Sequence, residues 1–196
     1  EAHSEGLIAL SGCPSGEFMS ALREDDERKA MEVASWFRDV FQDRYYLEVM
    51  EHGIEQFTPL MPRVFDVAEK MGLPTVVTND SHYTGPGDVR AHEVLLCIGS
   101  NSTVHDENRF KLDGNTFYLR SEEEMRSLFP GHPEAADNTW EIAERVDIDI
   151  QFGRTMLPNP GVPEGLSARD WLRQQCEEGL YRRYSEVTDM HRERLR

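Results

Sequence analysis

Apolar residues fall along this chain in short β-rich runs separated by longer stretches with helical spacing. Leu7-Ile8-Ala9-Leu10 is an apolar run closed by Ser11-Gly12, which predicts a buried strand. Glu17 to Arg23 predicts a short helix. From Glu27 to Phe41, Ala30, Val33, Ala34, Phe37 and Phe41 recur on one side while Arg28, Lys29, Glu32 and Asp39 take the other, so an amphipathic helix is expected. Tyr45 to Met50 is aromatic and β-branched, a strand. Thr58-Pro59 has the form of an N-cap and first helical residue, and Gly72 with Pro74 ends the helix that follows. Thr75 to Thr78 is the next strand, and its lack of polar alternation suits burial on both faces of a parallel sheet.

Beyond the Gly85-Pro86-Gly87 turn a helix is expected over about Asp88 to Ile98, then a polar loop over Asn101 to Asp113 and a short strand at Phe117-Tyr118-Leu119. Ser121-Glu122-Glu123-Glu124 is a capping box that opens a helix. Pro133 to Val146 predicts another. Strand and helix in alternation define the α/β class with parallel strands. The texture changes at "LPNPGVPEG", with three prolines and two glycines, which predicts a connector over 157–165 between a domain at 1–156 and a helical segment at 166–196. Ser167 with Asp170 opens a helix expected to run to about Tyr184.

Composition narrows the function. Asp and Glu number 37 against 21 Lys and Arg, a net charge of −16, which argues against this surface as the main grip on nucleic acid. An acidic pocket holding cations stays compatible with nucleic-acid chemistry, because bound metals reverse the local field. Three widely spaced cysteines, Cys13, Cys97 and Cys176, form no disulfide framework and point to a reducing, cytoplasmic setting. No apolar run is long enough to span a membrane.

The stretch "VVTNDSHY" places Asp80 and His82 two residues apart after a β-branched run. If the strand continues through them, both side chains project from one face at the carboxyl end, where parallel α/β folds place their sites. An oxygen and a nitrogen donor side by side suit a transition metal, while Asp80 also suits an Asx turn. Cys13 follows the first strand. If both strands share a sheet, a thiolate, a carboxylate and an imidazole emerge on one rim, a start to a zinc-type site; alone, Cys13 reads as a packed thiol. Glu48 and His52, in "YYLEVMEHG", are candidates to orient a ligand or to bond near a strand end. No Walker-type phosphate loop, Gly-x-Ser-x-Gly elbow or His-Glu-x-x-His helix is present.

Taken in order, "EGLIALSGCPSGE", "YYLEVMEHG", "PTVVTNDSHY", "AHEVLLCIGS", "FYLRSEEEM" and "NTWEIAERV" resemble the later part of the polymerase-and-histidinol-phosphatase (PHP) domain of the bacterial DNA polymerase III alpha-subunit family. The tail from "MLPNPGVPEG" resembles the passage from that domain into the palm, and the wording is nearest to actinobacterial members. The resemblance implies a partial (β/α)7-type PHP barrel lacking its N-terminal strands, with metal ligands at Cys13, Asp80 and His82. It implies divalent ions, zinc or manganese at that site, with magnesium at a polymerase site whose catalytic aspartates lie outside this chain. The implied activity of the parent is DNA-directed DNA synthesis with metal-dependent 3′–5′ exonuclease proofreading. The alternative is a non-catalytic PHP module that supports the polymerase and docks a separate exonuclease. The implied partners are DNA, deoxynucleotides, the sliding clamp and other replisome subunits, and no membrane. The family's His-x-His motif is not found here, so the chain reads as a partial one, and little catalysis is expected of it alone.

Overall fold

The computed structural model describes residues 3–153, 158 and 160–195. Contacts divide the chain into two compact units, Glu1–Asp147 and Ile148–Arg196. The predicted boundary between 156 and 157 lies outside the described residues, as do Leu157 and Asn159 of the predicted connector.

The first unit is built on three parallel strands in the order β1-β2-β3: β1 is Ala9–Leu10, β2 is Tyr45–Val49 and β3 is Thr75–Val77. Ala9 pairs with Tyr45, and Glu48 pairs with Val76. β2 has strand partners on both sides. Its alternate residues Tyr45, Leu47 and Val49 join Val77 in the main core, whereas Tyr46, Glu48 and Val76 point to the opposite face. Tyr46 and Val76 are buried as well, so β2 and β3 are covered on both sides.

β1 departs from the expected four-residue buried strand. Only two residues pair, and Leu7 and Leu10 are exposed. β1 is an edge strand with β2 as its sole partner, so its other side has nothing to bury it among the described residues.

Helices cover the core face. α1 (Glu17–Arg23) brings Phe18, Met19 and Leu22, and α2 (Glu27–Phe41) brings Ala30, Val33 and Ala34, both within the predicted bounds. Asp26 caps α2 by accepting the Lys29 N–H at 2.9 Å. α3 (Met61–Met71) starts later than predicted. Residues Thr58–Leu60 form a 3-10 turn, and the Thr58 hydroxyl donates to Glu51 (2.7 Å) instead of capping the helix. Gly72 closes α3 in the left-handed region, φ +62, where a side chain is strained.

α4 (Val89–Gly99), α5 (Glu122–Leu128) and α6 (Pro133–Arg145) follow. The capping box of α5 forms as read: the Ser121 hydroxyl accepts the Glu124 N–H, and the Glu124 carboxylate accepts the Ser121 N–H. Asn138 of α6 donates to the Thr75 carbonyl (2.7 Å) and Arg145 donates to the Tyr46 hydroxyl (2.8 Å), which fixes this helix against the sheet.

In the second unit α7 spans Ala168–Arg183, with Ser167 accepting the Asp170 N–H at 3.1 Å as its N-cap. A further helix, α8 (Asp189–Leu195), folds back so that Arg192 donates to the Tyr181 hydroxyl and His191 stacks on Tyr184. Among the described residues no helix is long and apolar enough to cross a membrane.

Candidate functional site

β1 and β3 run parallel on either side of β2, so the segments holding Cys13 and the Asp80–His82 pair leave the sheet from the same carboxyl-terminal rim. The strand itself does not reach the pair. β3 ends at Val77, because Thr78 is the last residue whose N–H finds β2, at the Val49 carbonyl (3.0 Å). The strand periodicity that would align Asp80 with His82 is therefore not what joins them.

A local turn does so instead. The Ser81 N–H bonds back to the Asn79 carbonyl (2.9 Å), and the Asp80 carboxylate meets the His82 imidazole Nε2 at 3.1 Å. Both side chains are partly exposed, 51 % for Asp80 and 37 % for His82, so water competes for the contact.

The segment 116–118 holds this turn from outside. The expected strand at Phe117–Leu119 is reduced to a single parallel bridge, Tyr83 to Tyr118. The Phe117 carbonyl accepts the His82 N–H (2.8 Å) and the Tyr83 N–H (3.2 Å), while Asn79 donates to the Tyr118 carbonyl (2.6 Å). The Phe117 ring packs against His82 on one side and lies parallel to His52 on the other, with centroids 5.8 and 4.4 Å away. Nothing in the spacing of "NTFYL" pointed to this wall; its only signal was a β-rich triplet after a polar loop.

His52 is thus built into the site's flank. Its Nδ1 bonds the Thr116 hydroxyl at 3.0 Å, and its Nε2 is buried without a partner among the described residues. Burial holds its pKa below the ordinary imidazole value of 6.5, with Arg120 adding to the effect and Asp80 opposing it. The sign follows from linkage. As pH falls below 6.5 the unfolded chain takes up a proton that the folded His52 still refuses, so stability declines from about pH 6.5 down to the folded pKa and is flat below it. Urea unfolding at a series of pH values should show that decline, and His52→Gln should remove part of it; a variant with the same pH dependence as the parent would count against this assignment.

Glu48 holds the rim from within. One carboxylate oxygen accepts the Gly12 N–H (3.1 Å) and the other accepts the Thr78 hydroxyl (2.5 Å). Cys13, next to Gly12, is exposed in the turn between β1 and α1 rather than packed in the core. Clefts of 630 Å³ beside Phe65 and His132 and of 590 Å³ beside Met125 and Trp140 include none of Cys13, Asp80 and His82 in their walls.

Among the described residues no group of three or more His, Cys, Asp or Glu side chains gathers closely enough to hold a metal ion. Asp80 and His82 are in contact and the His92 ring of α4 lies 5.4 Å from that of His82, yet the three do not converge as the three or four protein ligands of a zinc site do, so the described residues do not by themselves fit such an ion.

A parallel α/β sheet with its polar residues at the carboxyl rim is the architecture expected of a PHP domain, and a family model for the PHP domain matches residues 1–52. Over nearly its whole length the chain is similar to curated proteins called DNA polymerase III subunit alpha. It is 38 % identical to that of Mycobacterium tuberculosis H37Rv across 98 % of its residues, and 38 % identical to that of Treponema pallidum across 95 %. The Helicobacter pylori protein is 34 % identical across 98 %. The homologues of this chain are thus proteins called DNA polymerase III subunit alpha, and it spans only 17 % of the Mycobacterium and 16 % of the Treponema protein.

Proposed function

We propose that this chain serves as PHP-domain sequence within a replicative DNA polymerase of the alpha-subunit type, followed from 166 onward by the approach to the palm. Similarity across 98 % of the chain to proteins of that name carries this reading. The activity of the whole is then DNA-directed DNA synthesis in the cytoplasm, with DNA, deoxynucleotides and replisome subunits as partners. Within it Cys13, Asp80 and His82 contribute to a divalent-metal site for 3′–5′ exonuclease proofreading, completed by donors from elsewhere in the longer protein. Their emergence on one strand-end rim supports that role.

The alternative is a PHP module kept for support and for docking a separate exonuclease, in which the exposed Asp80–His82 contact serves only to hold its turn. Metal analysis together with polymerase and nuclease assays of the full-length protein separates the two. The first reading expects Asp80→Ala with His82→Ala to lose bound metal and exonuclease activity while DNA synthesis persists. A wild-type protein without metal or nuclease activity overturns it in favour of the second.

The charge of −16 fits neither a DNA-clamping surface nor tight binding by the 196 residues alone. Salt-sensitive, high-affinity DNA binding by this chain would contradict that expectation.

A further inference from the structure

We propose that Glu48 is a positioning residue that couples the Cys13 turn to the Asp80–His82 turn across the central strand. The proposal rests on the reading of those three residues as site residues, and its own evidence is the set of bonds around one carboxylate.

β1 and β3 do not touch; β2 separates them. The last backbone bonds to β2 are those of the Ser11 N–H to the Tyr46 carbonyl and of the Thr78 N–H to the Val49 carbonyl, both 3.0 Å; beyond Ser11 and Thr78 the two exits have no backbone ladder among the described residues. Glu48 is the last residue of β2 on the face opposite the main core and sits between them. Its carboxylate reaches Gly12 on one side, adjacent to Cys13, and Thr78 on the other, two residues before Asp80. Its backbone N–H also donates to the Ser11 hydroxyl oxygen (2.9 Å), so the β1 exit is held to this residue twice.

An ionised carboxylate only accepts, and here each of its oxygens has a donor. Bonds to a charged acceptor are the stronger kind. Gly12 lies at φ +87, a conformation in which a side chain is strained, and this backbone turn aims its N–H at Glu48. Helix and sheet packing account for neither contact. They join two loops to one side chain, which is the arrangement by which outer groups set the geometry of a site.

The test uses amide exchange on the 196-residue chain, with the reaction rate of the Cys13 thiol toward an aromatic disulfide reagent as a second readout. Glu48→Ala is expected to speed exchange at Gly12 about tenfold, the loss of one charged hydrogen bond, and to change the Cys13 rate. Amides of Val64 and Val67 in α3 should stay as they were. Thr78→Val cuts only the β3 arm, yet coupling predicts faster exchange at Gly12, a residue it does not touch, and no further effect once Glu48 is Ala. Glu48→Gln should restore part of the Gly12 protection lost in Glu48→Ala, since its carbonyl can accept the Gly12 N–H while its amide donates to the Thr78 hydroxyl oxygen, both as weaker neutral bonds.

Unchanged Gly12 exchange in Glu48→Ala overturns the proposal. So does an effect of Thr78→Val confined to its own strand, failure of Gln to rescue, or a uniform rise across α3 that marks general loosening. None of these readouts involves a metal, so a negative result removes the coupling and leaves the ligand reading to the metal and nuclease assays.

Discussion

Leu47→Ala should lower the unfolding free energy of the first unit by about 2–5 kcal/mol. Leu47 has no exposed surface, and it lies in β2, the one strand with partners on both sides among the described residues. Its core neighbours come from the helices and from β3, so a cavity there cannot be closed by shifting one element. The loss therefore combines the transfer energy of the missing methyl groups with the contacts the surrounding atoms forfeit. Urea unfolding followed by far-UV circular dichroism measures it as a lower midpoint at unchanged slope. Leu10→Ala on the half-exposed edge strand is the control, expected to cost under about 1 kcal/mol. Equal effects at the two positions would mean that the central strand is not the keystone of this sheet.

The elements that follow one periodicity without interruption were legible in the sequence. α1, α2 and α6 fall within a residue of the expected bounds, because their apolar positions keep helical spacing from end to end. β2 and β3 were legible because they are aromatic and β-branched and, apart from Glu48 and Thr75, apolar. The departures share a cause: each depends on a partner distant in sequence. Thr58 forms a good local N-cap pattern, but Glu51 takes its hydroxyl. The triplet 117–119 has strand composition, but only Tyr83 is within reach to pair. At the site, spacing correctly put Asp80 beside His82 through the wrong mechanism, a turn in place of a strand face. Glu48 and His52 stood out as polar residues at a strand end. Their actual partners, Gly12, Thr78 and Thr116, are 30 or more residues away and left no local signal.

Adjacent tyrosines on β2 should respond to loss of their hydroxyl with opposite signs. Tyr45 and Tyr46 are both buried, but successive strand residues face opposite sides. The Tyr46 hydroxyl accepts from Arg145 (2.8 Å) and lies 3.4 Å from Glu141, so it sits in a polar seam between β2 and α6. The Tyr45 hydroxyl is buried in the helix-covered core without a hydrogen-bond partner among the described residues, while its ring stacks on Phe37 at 5.4 Å. The same burial raises the Tyr45 pKa far above the phenol range, since no neighbour compensates a phenolate there. Tyr45→Phe keeps the ring and its stacking and deletes only an uncompensated polar atom, so it should stabilise the unit by about 1–3 kcal/mol, the desolvation cost of an unpaired group. Tyr46→Phe strands the Arg145 donor and should destabilise by about 1 kcal/mol. The pair measured side by side removes the common cost of altering β2, and the difference in sign carries the result. Destabilisation by Tyr45→Phe of the size seen for Tyr46→Phe would show that the Tyr45 hydroxyl has a partner, with ordered water the first to seek.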